Sequence, residues 1–101
     1  MKRIKNIHPG EVLQEEFLTP SGISSYKLAK ETGMPITRIM DVIHGKRGVS
    51  ADTAIRLAAY FGNTPTFWLG LQNDYDLEEE MREKVGLYRK IHRATLQEAL
   101  S

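Results

Sequence analysis

A chain of 101 residues with 41% hydrophobic content is long enough for one domain with a modest core. It contains no cysteine, which excludes disulfides, a thiol nucleophile and thiolate metal sites. The formal net charge of +1 selects no partner class, so only the distribution of charge along the chain is informative.

The elements follow in chain order. His8-Pro9-Gly10 opens the first helix, since a proline near a helix start gives up an N–H that would have had no partner. Val12, Leu13, Glu16, Phe17 and Leu18 continue it, and Thr19-Pro20-Ser21-Gly22 ends it. A second helix is predicted from about Ser25 to Thr32, capped by Ser24 or Ser25, with Tyr26, Leu28 and Ala29 inward and Gly33 closing it. A third runs from about Pro35 to His44 on Ile36, Ile39, Met40, Val42 and Ile43. The fourth spans Ser50 to Phe61, with Ala54, Ile55, Leu57, Ala58 and Phe61 as its buried stripe and Gly62 as its stop. Thr64-Pro65 begins a fifth, which holds Phe67, Trp68, Leu69 and Leu71. After Tyr75 an acidic start and a basic second half suit the helix dipole and predict a sixth helix to about Ala99, despite Gly86. The expected fold is all-α: a five-helix unit over residues 1–76 and a helical extension over 77–101.

Two short helices joined by a few residues that include glycine form a helix-turn-helix. Ala29 is small enough for a close crossing, Gly33 permits the left-handed turn, and Met34 plugs it. Ile39 and Val42 pack the third helix onto the second, so its opposite face displays Pro35, Thr37, Arg38, Asp41 and His44. In such a motif that face enters the major groove of DNA. Arg38 has the planar fork that pairs with guanine O6 and N7, and Thr37 can hydrogen-bond or rest its methyl on thymine. Asp41 would accept from cytosine N4, or orient Arg38 from one turn away. Ser25, Lys27, Lys46 and Arg47 are the expected phosphate contacts. Charge agrees: from Lys27 to Arg47 stand Lys27, Lys30, Arg38, Lys46 and Arg47 against Glu31 and Asp41, whereas Asp76 to Glu83 is strongly acidic. A solvated charge mosaic would leave the same composition.

Enzymatic readings fail. His8, His44 and His92 are too far apart for metal-ligand spacing on one helix, and adjacent Glu15 and Glu16 point to different sides. No glycine-rich phosphate loop follows a strand. Asp52 reads as helix-start chemistry, and Phe17, Tyr60, Phe67 and Trp68 as core. The expectation is a protein that is not an enzyme and needs no metal or cofactor. No apolar run approaches the ~20 residues that span a bilayer. The segment MKRIKNIHPG has cations without an apolar stretch, so a cytoplasmic protein is expected.

From about Ser24 to Leu71 the chain resembles the phage-repressor and Cro type of five-helix domain, the Xre-like family. HPGEVLQEEFL, GMPITRIMDVIHGKRGVSADTAIRLAAYFG and TPTFWLGLQNDYDL together are similar to HigA-type, or VapI-like, antitoxins. The resemblance covers about Ile7 to Leu77 and implies a homodimeric repressor of its own operon that binds operator DNA and neutralises an mRNA-cleaving HigB-type toxin. The family's contacts fall on Thr37, Arg38, Lys46 and Arg47. The rival readings are a stand-alone Xre-type repressor without a toxin and a protein-binding helical module. Beyond the matching core, Leu77, Met81, Val85, Tyr88 and Ile91 form one apolar stripe, to be buried on the Phe67–Leu71 helix or against a partner.

Overall fold

The computed structural model describes residues 5–97, and its elements there are helical. The first rod runs unbroken through α1 (Pro9–Val12), a π-helical stretch (Leu13–Leu18) and α2 (Thr19–Ser21). It is followed by α3 (Ser25–Thr32), α4 (Ile36–Ile43), α5 (Ala51–Phe61) and α6 (Pro65–Tyr88).

The starts of α3, α5 and α6 are set by short polar side chains, whereas α4 begins at Pro35 without a side-chain cap. Ser24 accepts from the Lys27 N–H, Ser50 from Thr53 and Thr64 from Phe67. The ends of α2, α3 and α5 turn on glycine, as at Gly33, whose φ of 70° is what the tight α3–α4 corner requires. The π-helical stretch was not expected from sequence. Pro20 has no N–H, and its ring crowds the carbonyl four residues back. The wide turn ahead of it, in which the Thr19 N–H bonds to the Gln14 carbonyl, accommodates that demand.

Leu13, Leu18, Leu28, Ile39, Val42, Leu57 and Trp68 are fully buried and form the core together with Ala29, Met34 and Ala54. Phe17, Phe61 and Phe67 stack around Trp68 at ring-centroid distances of 4.9, 6.1 and 5.1 Å, and the indole N–H donates to Asn63 at 2.9 Å.

Three expectations are corrected. Tyr26 is 71% exposed and Ile55 is 56% exposed, so neither joins the core. The fifth and sixth helices are one: α6 runs through residues 72–76 without a break and ends at Tyr88, past a non-helical Lys84. Ala99, the expected end, lies outside the described residues. Leu77 and Met81 therefore continue the same rod as the Phe67–Leu71 segment and cannot fold back onto it, while Val85 and Tyr88 lie beyond the kink at Lys84. Leu77 and Met81 are 59% and 49% exposed, and Ile91, beyond the helix, is exposed too.

Candidate nucleic-acid interface

The α3–α4 corner has the form expected of a helix-turn-helix. Ala29, Met34, Ile39 and Val42 are all buried where the two helices cross. The Met34 N–H bonds back to the Ala29 carbonyl at 3.1 Å and locks the turn. Behind α4 lies α1. A Cβ on Gly10 would lie 1.8 Å from the Val42 carbonyl oxygen, so only glycine lets the two backbones approach this closely. His8 caps α1, its Nδ1 accepting from the Gly10 N–H at 2.9 Å. Its ring is buried edge-on against Tyr75, and that burial lowers its pKa against the opposing pull of Asp76 and Glu11.

With Ile39 and Val42 turned inward, a step of about 100° per residue puts Thr37 and Asp41 on the opposite side of α4. Thr37 and Pro35 are exposed, and Asp41 is half-buried. Arg38 lies about a quarter-turn from Ile39, on the flank beside α5, and its side chain is 26% exposed. There its Nη1 donates to Asp52 Oδ2 at 2.6 Å. Asp52 also accepts from Arg56 Nε, at 3.0 Å and 3.2 Å, and Arg56 Nη1 donates to the Thr32 carbonyl at 2.8 Å. Hydrogen bonds from Arg38 first and Arg56 second hold the Asp52 carboxyl below its ordinary pKa.

Asp41 is thus not the partner of Arg38. It pairs loosely with Arg47, at 3.9 Å, while its own carbonyl accepts from the Lys46 and Arg47 N–H groups. Lys46 and Arg47 are exposed on the loop after α4. That loop is moored from behind, where Gln72 of α6 accepts the Val49 N–H at 2.7 Å and packs so closely that a Cβ on Gly48 would come within 2.9 Å of its side chain. Lys27 is exposed on the first turn of α3; Ser25 beside it is half-buried, and the capping hydroxyl belongs to Ser24. Thr37 and Asp41 therefore share the outer side of α4, Arg47 meets it through Asp41 with Lys46 beside it on the loop, and Arg38 stands at its edge, while Pro35 is the exposed residue that precedes the helix. Sequence reasoning missed Gly10, Gln72 and the bridging role of Asp52. The Asp52–Arg56 pair was legible as an i,i+4 spacing. The Arg38 partner was not, being fourteen residues away on another helix.

Among the described residues no cluster of His, Asp or Glu could hold a metal ion, and no helix is long and apolar enough to cross a membrane.

Residues 15–69 match the helix-turn-helix family. The chain is 45% identical over 78 residues to virulence-associated protein I of Dichelobacter nodosus, covering 77% of this chain and 72% of that protein. Antitoxin HigA-1 of Vibrio cholerae is 48% identical over 69 residues, covering 67% of this chain and 64% of that one. Among solved structures, the Pseudomonas aeruginosa antitoxin HigA with the higBA promoter superposes with a TM-score of 0.85 at 35% identity, covering 90% of this chain and all of that one. The chain belongs to the HigA branch of the helix-turn-helix family. That membership fits the buried crossing of α3 on α4 and the polar outer side of α4.

Proposed function

We propose that this HigA-family protein is a sequence-specific DNA-binding antitoxin, working in the cytoplasm without enzymatic activity. It represses its own toxin–antitoxin operon as a homodimer and neutralises a HigB-type ribonuclease toxin. The observation that carries the reading is the α3–α4 corner, whose second helix turns a polar face outward beside the basic Lys46–Arg47 loop. A relative of the same fold, solved with its promoter, supports it. In this reading Thr37 and Arg38 read base edges, with Pro35 and Asp41 beside them, and Ser25, Lys27, Lys46 and Arg47 hold phosphates. A single reading helix covers only a few base pairs, so specificity calls for two half-sites about one helical turn, ~10 base pairs, apart. The partner toxin is basic in this reading, and the acidic Glu78–Glu80 turn of α6 favours such a partner over DNA.

Fluorescence anisotropy against the DNA upstream of its own gene, in rising salt and with competitor DNA, tests the repressor reading. Tight, salt-dependent binding that competitor fails to displace is expected, and equal affinity for any sequence would overturn it. Co-expression with the small basic reading frame beside the gene tests the antitoxin role. Rescue of growth is expected, and continued growth arrest would leave a stand-alone repressor.

A further inference from the structure

We propose that Asp52 is a positioning residue for DNA recognition, holding the Arg38 guanidinium at the edge of α4 and thereby setting which base Arg38 selects. The inference rests on the DNA-binding reading above and deepens it. The Asp52 carboxylate engages Nη1 of Arg38, which leaves the Nε–Nη2 edge for a second partner. That edge carries the two parallel N–H donors that guanine O6 and N7 accept. Arg38 can keep its hold on Asp52 while it reads a base, so the two contacts do not compete. The carboxylate is itself fixed: Arg56 Nε donates to both its oxygens, and Arg56 Nη1 is anchored on the Thr32 carbonyl at the end of α3. One chain of charge-assisted bonds thus ties α3 and α5 to the side chain on α4.

Two physical consequences follow. Arginine loses more rotamer freedom on ordering than most side chains, and Asp52 imposes that loss before DNA arrives. The trio of Arg38, Arg56 and Asp52 also retains one net positive charge, so an anion is carried beside the interface without making it repel phosphate.

The test compares wild type, Asp52→Ala, Asp52→Asn, Arg38→Ala and the Arg38→Ala/Asp52→Ala double variant. Each is titrated by anisotropy against the gene's own upstream DNA and against single-base variants of it, with folding checked by circular dichroism. Arg38→Ala should flatten the preference at one base pair. Asp52→Ala should lower the preference at that same pair by about fivefold or more, the low end of what a bidentate contact discriminates. Its affinity for unrelated DNA should hold or tighten, because an anion has been removed. The double variant should be no worse there than Arg38→Ala, and Asp52→Asn, which keeps an acceptor but no charge, should fall between. An Asp52→Ala profile identical to wild type overturns the proposal, as does a loss that adds to that of Arg38→Ala. A uniform gain for all sequences would make Asp52 a charge screen and refute positioning. If wild type itself shows no preference for its upstream DNA, the DNA-binding reading fails first. If wild type discriminates and only the Asp52 profile is unmoved, that reading stands and the Asp52 role alone is lost.

Discussion

Replacing Gly10 by alanine tests how the reading helix is held. The added Cβ would lie 1.8 Å from the Val42 carbonyl oxygen, 2.7 Å from its carbon and 2.9 Å from Ile43 Cα. All three are backbone atoms, so no rotamer change relieves the contact. Ordinary contact begins near 3.4 Å, so α1 and α4 must part by about 1.6 Å, the difference between that distance and 1.8 Å. Overpacking a filled core typically costs about 1–3 kcal/mol, and relief that requires backbone movement belongs at the upper end. Against this, alanine favours a helix over glycine by at most about 1 kcal/mol. The net loss is therefore about 2 kcal/mol, or roughly 8–16 °C in melting temperature for a domain of this size. Circular dichroism melts of Gly10→Ala and Gly70→Ala provide the comparison. Gly70 lies within α6, where an added methyl meets nothing within 4 Å, so its alanine variant should melt at or above wild type. If Gly10→Ala melts as high as wild type while Gly70→Ala behaves as expected, α1 is not seated against α4 as described.

Lys46→Ala and Arg47→Ala should each weaken binding to all DNA sequences alike and lower the salt slope by about one unit, read from titrations across a salt series. An unchanged slope would remove that residue from the phosphate contacts. Burial lowers the pKa of His8 below its ordinary 6.5, so the unfolded chain binds the proton first as pH falls. Its contribution is therefore present above about pH 6.5 and lost as pH falls through the folded value; parallel melting curves for wild type and His8→Gln between pH 7.5 and 5 would refute this. Ala29→Leu forces volume into the buried α3–α4 crossing and should cost about 1–3 kcal/mol in chemical unfolding. No change in midpoint would misplace the turn. Leu77→Ser with Met81→Ser removes the first two residues of the exposed stripe and should leave the melting temperature within a few degrees, with any change appearing in sedimentation as a loss of dimer.

What is legible in the sequence is local. The corner can be read because Ala29, Gly33, Met34, Ile39 and Val42 fall within fourteen consecutive positions and each has one job there. Tyr26 and Ile55 mislead because their apolarity suggests burial where helical angle opposes it. Each lies two residues, about 200°, from a buried leucine, Leu28 or Leu57, and so points away from the core. A new helix after Tyr75 is suggested by the switch to acidic residues, yet nothing in Gln72-Asn73-Asp74-Tyr75 stops the old one, having neither proline nor glycine. The Asp52–Arg38 bond and the Gly10–Val42 approach depend on how distant segments pack, which periodicity along one helix does not encode.

In the DNA-binding reading proposed above, the position of α4 gives residues that do not face DNA a large part in recognition. Eight residues are too few to remain helical alone, since isolated helices shorter than ~12–15 residues are marginal in water. The reading helix therefore takes its shape from its supports: α1 through Gly10, the core through Ile39 and Val42, and α5 through Asp52. The basic loop is held in the same way, through Gln72 of α6. Reading base edges requires side chains held to within a fraction of an ångström, and a helix of two turns cannot supply that from its own hydrogen bonds. Variants that alter recognition should accordingly fall on the supporting residues as well as on the outer face. The groups separate by what they disturb: a backbone support such as Gly10 moves every contact of α4 together, whereas Asp52, which holds one side chain, and an outer residue such as Thr37 each move one.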